Sequence, residues 1–148
     1  MGALNIVSRW STIIVMGLAA WLGCANALAD TPISLYKSFA GNINFVGTQK
    51  TIRTKPNSSD PCAVLGANSK LSAALAGIPS NATVLAAYLY WAGSGSTPDN
   101  NVTFEGVART ATRQWVSSST GYDYFAAAVD VTASVVAKRN GTYSLSGL

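Results

Sequence analysis

The side chains of this sequence that could do chemistry are its aromatic rings and a few acids. Tyr88, Tyr90 and Trp91 fall within one apolar segment, and Trp115, Tyr122 and Tyr124 flank the Ser117–Gly121 turn. Flat π-faces of this kind can stack on the apolar side of a pyranose ring, which makes Trp91, Trp115, Tyr122 and Tyr124 the candidate ligand-binding residues. The same rings in a central strand serve equally to fill a β-sandwich interior, because each buries a large area. Packing is the reading that the pattern favours for both groups, since exposed aromatic patches are the exception.

Among the acids, Asp99 shares a loop with Asn100 and Asn101, and either Asp123 or Asp130 could approach them in space. Such oxygen-rich groupings suit calcium, so Asp99, Asn101 and Asp123 are its candidate ligands. The EF-hand spacing is absent, however, and Asp and Asn are also ordinary turn residues. Glycosidase chemistry needs two carboxyl groups facing one cleft. Here six acidic residues are scattered through loops and strand ends, and Glu105 is the single glutamate. The chain has no histidine, which removes Ser-His-Asp and Cys-His catalysis and the His-containing zinc sites. No nucleophile motif or Gly-rich phosphate loop is present, so the expectation is a protein that is not an enzyme and takes no cofactor.

Residues 1–29 read as a secretory signal peptide. Arg9 supplies the basic start, Ile13 to Ala25 the apolar run, and Ala27-Leu28-Ala29 the small-residue site, with cleavage expected after Ala29. The run of 13 residues before Asn26 is short of the roughly 20 that a spanning helix needs. A lipoprotein site at Cys24 is disfavoured by Trp21 three residues before it. Removal of the segment leaves Cys62 as an unpaired cysteine, free, bonded to another chain, or without its original partner. Of the ten basic residues nine remain, Arg9 being lost, against six acids. The resulting +3 is spread without a run, whereas a nucleic-acid binder clusters its basic groups. Lys50, Arg53 and Lys55 alternate with Thr and read as a solvated strand face.

The elements that must position these side chains are short alternating segments divided by Gly, Asn, Ser and Pro, as in a sandwich or barrel. Residues 30–148 are long enough for one domain. Alternation predicts strands at Ile33–Leu35 and Ile43–Phe45 around Gly41, and a weaker edge strand at Thr48–Thr54 before the proline-bounded loop Lys55–Pro61. Leu71 to Ile78 fits either a helix face or a strand, with strand slightly preferred among β neighbours. Thr83 to Ala92 is apolar on both faces, which predicts a central strand. Strands follow at Val102–Val107, Arg109–Val116 and Tyr122–Val129. Asp130-Val131-Thr132 can then cap a helical turn near 132–139, closed by Asn140-Gly141. The chain stops at Leu148 inside a further alternating stretch, so a truncated domain or a missing partner segment is expected.

Ala86-Ala87-Tyr88-Leu89-Tyr90-Trp91-Ala92-Gly93, followed by Asn101-Val102-Thr103-Phe104-Glu105-Gly106 and by Asp130-Val131-Thr132, resembles a family of bacterial secreted and cell-surface proteins described as a domain of unknown function. Tyr36-Lys37-Ser38-Phe39-Ala40-Gly41-Asn42, Gly77-Ile78-Pro79 and Tyr122-Asp123-Tyr124-Phe125 match as well, and the similarity spans nearly all of residues 33–148. The resemblance implies an antiparallel, jelly-roll-like β-sandwich at the amino end of larger extracellular or cell-envelope proteins, and it supplies no catalytic residues. Two functions follow as expectations. One is a structural or interaction module for adhesion or surface assembly, whose partners would be other envelope proteins. The other is a carbohydrate-binding module for surface glycans, with or without calcium. Both place the protein outside the cytoplasm, in the periplasm or at the cell surface, with no stable membrane span.

Overall fold

The computed structural model describes residues 34–56, 59–60, 63–66, 69–119 and 121–148. The predicted signal peptide 1–29, the cleavage point after Ala29 and the unpaired cysteine Cys62 lie outside the described residues, as does Ile33. Among the described residues no helix is long and apolar enough to cross a membrane.

Seven strands and one short helix make up the regular structure of the described residues. These are β1 (Leu71–Leu75), β2 (Tyr88–Ser94), β3 (Asn101–Phe104), β4 (Val107–Thr110), β5 (Arg113–Ser119), β6 (Tyr122–Asp130), α1 (Thr132–Lys138) and β7 (Gly141–Ser146). They form two antiparallel sheets, one in the order β1-β7-β3-β4 and the other β2-β6-β5, giving the all-β sandwich-like architecture that the alternating pattern predicts. Period-two side-chain geometry sends one face of each strand inward. Trp91, Ala127 and Val129 from the three-stranded sheet share a core with Val102, Phe104 and Tyr143 from the other, and Val131 and Val135 join them from the helical end. Phe104 and Tyr143 stack with centroids 5.6 Å apart and planes 6° from parallel.

Local chemistry accounts for the turns. Glu105 and Gly106 have φ of 53° and 77°, the left-handed pair that a two-residue hairpin of the right twist requires. The predicted continuous strand Val102–Val107 is therefore a hairpin between β3 and β4. The predicted strand Arg109–Val116 is likewise divided at Ala111-Thr112, where the chain passes from one sheet to the other. At the end of β6, Asp130 Oδ1 accepts the Thr132 N–H at 2.8 Å. The Thr132 hydroxyl accepts the Ala87 N–H at 2.9 Å, and the Val131 N–H donates to the Ala87 carbonyl at 2.9 Å. These bonds fix the helix start to the chain entering β2. The helix ends on Arg139, whose φ is 56°, so the left-handed residue falls one position before the expected Asn140.

Arg139 and Asn140 fasten that end. The Arg139 guanidinium donates to the carbonyls of Pro79 and Ala82. The Asn140 side chain accepts the Ile78 N–H at 2.9 Å and donates to the Ile78 carbonyl at 2.8 Å.

Two other expectations are corrected. Residues 34–50 hold no strand, although their alternation predicts two; Leu35 and Phe45 stand 84% and 87% exposed. Alternation makes a strand only where a ladder partner exists, and none of these residues has one among the described residues. The predicted edge strand at 48–54 shrinks to a single bridge between Arg53 and Val64. The second correction concerns the predicted spine. Regular pairing begins only at Tyr88, and β2 is an edge of its sheet, with β6 at the centre. Small residues explain the exchange: Ala126, Ala127 and Ala128 let side chains from both neighbouring strands lean over β6.

Candidate functional site

The register of the three-stranded sheet sets the site. Tyr90 lies opposite Ala128, which lies opposite Arg113; Ala92 lies opposite Ala126, which lies opposite Trp115. Residues directly opposite one another share a face. Tyr88, Tyr90, Arg113, Trp115, Tyr122 and Tyr124 thus stand on the outer face, away from the sandwich core, with Ala126 and Ala128 as its floor.

On that face five side chains close a circuit of ring contacts. Tyr88 meets Tyr36 edge-on at 5.4 Å and Tyr90 at 6.4 Å. Tyr90 stacks toward Trp115 at 6.5 Å with planes 24° apart. Arg113 completes the loop, its guanidinium carbon 5.1 Å from the Trp115 ring centre and 4.3 Å from that of Tyr36. Cation–π attraction holds the guanidinium between the two rings. Beneath the circuit Ala128 is 4% exposed, while Tyr90 above it is 61% exposed. The cluster therefore covers its own floor and still presents rings to solvent.

The sequence candidates separate accordingly. Trp91 is buried in the core, and its indole N–H donates to the Asp99 carbonyl at 2.8 Å. It offers no face to a ligand, which corrects its place among the candidates. Trp115 is half-buried between Arg113 and Tyr90, so it holds other groups in position. Tyr122 and Tyr124 are exposed at the far end of the same face. Tyr36 and Arg113 were not candidates from sequence. Arg113 carried a signal, since it lies two residues before Trp115 and so on the same strand face; Tyr36 reaches the site from an irregular segment and carried none.

The calcium candidates are engaged with their own neighbours. Asp99 Oδ1 accepts the Asn101 N–H at 3.2 Å, Asn101 Oδ1 accepts the Thr110 hydroxyl at 2.9 Å, and Asp123 Oδ1 accepts the Ser118 hydroxyl at 2.6 Å. Among the described residues no three of His, Cys, Asp and Glu converge as a metal would need. A small hollow beside Ile52, Leu65, Leu71 and Leu145 has room for little more than a water molecule.

Two carboxylates titrate below the usual range, and both do so for structural reasons. Bonding to Thr132, through side chain and backbone, holds Asp130 low, and the nearby Lys37 adds to it. Glu105 is held low first by Lys138 and then by the Ser144 N–H, which donates at 2.6 Å. The Glu105–Lys138 ion pair ties the β3–β4 turn to the end of the helix.

Comparison of the chain with protein-family models, curated proteins and solved structures finds no match.

Proposed function

We propose that this protein is an exported bacterial interaction module, and that the outer face of its three-stranded sheet binds surface glycans. One observation carries the reading: the rings of Tyr36, Tyr88, Tyr90 and Trp115 are ordered by contact with one another and with Arg113, yet Tyr90 remains 61% exposed, and Tyr124 on the same face is 43% exposed. Aromatic surface left uncovered in a folded domain costs hydrophobic free energy, and contiguous exposed patches commonly mark interaction sites. An open, flat face suits a polymer better than a small metabolite, which is usually enclosed in a pocket. The amino-terminal signal pattern and the resemblance to bacterial surface proteins support an extracellular or envelope location. A role in adhesion or surface assembly is then the consequence of binding rather than a separate activity.

A glycan array probed with the wild type and with a Tyr90→Ala/Tyr124→Ala variant tests this. Both rings are exposed, so the variant should unfold at nearly the wild-type temperature while its array signals fall by about tenfold, the weight of 1–2 kcal/mol of ring contact. Undiminished binding by the variant would remove the face from the proposal.

A further inference from the structure

Arg113 differs from the other described arginines. Arg53 donates to the Asp60 carbonyl, Arg109 to the Ser134 hydroxyl, and Arg139 to the carbonyls of Pro79 and Ala82. Arg113 makes ring contacts alone among the described residues, with Tyr36 and Trp115. Cation–π attraction orients its plane, and among the described residues no acceptor meets the five N–H groups around its edge. A guanidinium is more weakly hydrated than an ammonium and pairs best with a carboxylate, two parallel N–H groups meeting two oxygens. The rings therefore hold a planar donor fork at the border of an open aromatic surface. Asp130, the acid that shares this face through its pairing with Tyr88, is committed to Thr132. Lys37 stands close enough to influence Asp130, so the surroundings of the patch lean positive.

We infer that Arg113 reads the carboxylate of an acidic sugar, and that the polymer bound by this face is rich in uronic acid. The inference rests on the glycan reading above. In a uronic acid the carboxylate projects from the edge of a ring whose C–H face can lie on an aromatic side chain. Tyr90 supplies the aromatic surface and Arg113, across the alanine floor, supplies the fork. A neutral sugar would use only the first of these, and an isolated anion only the second.

The test uses the full chain, titrated by calorimetry with polygalacturonate and with the same polymer methyl-esterified, which keeps the rings and removes the charge. The acidic form should bind at least about tenfold more tightly, as one charge-assisted pair supports. Arg113→Gln should abolish that preference, and Arg113→Lys, which keeps the charge and loses the fork, should retain only part of it. Salt should weaken the acidic polymer selectively. The unfolding temperatures of the Arg113 variants, measured beside the wild type and expected to lie close to it, control for damage to the cluster. Equal binding of both polymers, or a preference that survives Arg113→Gln, would overturn the role of Arg113 and leave the glycan reading standing. Binding of neither polymer, where an array shows neutral glycans bound, would overturn the acidic-sugar assignment alone; a blank array would overturn both.

Discussion

The two faces of the three-stranded sheet are built from adjacent residues of the same strands, yet they hold their aromatic side chains in different ways. On the inner face Trp91 is 5% exposed, wedged among Val102, Phe104 and Tyr143, with its indole N–H satisfied by the Asp99 carbonyl. On the outer face Tyr90 and Trp115 lean across alanines, joined through Tyr88, Tyr36 and Arg113. The inner ring is fixed by enclosure and the outer ones by contact with each other. Stability should reside on one side and recognition on the other.

The largest expected effect tests that division directly. Trp91→Ala should cost about 3–5 kcal/mol, the range for deleting a large buried ring, whereas Tyr90→Ala, one residue away, should cost less than about 1 kcal/mol. Urea midpoints of the two variants check this, and similar losses would mean that the faces are energetically alike. Gly93→Ala comes next. A Cβ there would lie 2.8 Å from Phe125 Cε1 on the inner face. The ring must turn within a packed region, so a loss of about 1–3 kcal/mol is expected.

A smaller effect concerns the tie between the β3–β4 turn and the helix end. The Glu105 carboxyl is depressed in the folded state, so its contribution is fully present above its unfolded value of about 4.3 and fades as pH falls through the folded value. Glu105→Gln should cost about 1 kcal/mol at neutral pH. Unfolding temperatures of variant and wild type should converge as pH falls through the depressed folded value, where the Glu105 carboxyl loses its charge. The smallest effect belongs to the outer cluster: a double-mutant cycle of Tyr36→Ala with Arg113→Gln should give a coupling of about 0.5–1 kcal/mol. No coupling would mean that the rings do not hold the guanidinium.

Alternation in the sequence located β2, β6 and β7, and the Asp-Val-Thr signal located α1; β1 fitted a helix face as well as a strand and was preferred as a strand only for its β neighbours. The sandwich follows from these without further information. Which side of β2 faces inward was not legible, because both faces are apolar and period two cannot choose between them. The choice is made by Val102 and Phe104 on one side and by Ala126 and Ala128 on the other, and these belong to strands brought together only in the folded state. The Glu105-Gly106 turn was missed because glutamate is an unusual partner for glycine in a left-handed pair; its side chain is compensated by Ser144 and Lys138, far along the chain. The alternating residues 34–50 gave a strand signal that no ladder answers among the described residues.

The clasp between Asn140 and Ile78 bears on the order in which the protein assembles. These residues are 62 positions apart, and β1 and β7 pair just outside them. Closing so long a loop costs more chain entropy than closing the tight β3–β4 and β5–β6 hairpins, so β1–β7 is expected to zip late. In the strand order β1 touches β7 alone. Amide protons of β1 should therefore exchange ahead of those in β6, marking β1 as the part of the sandwich that opens first.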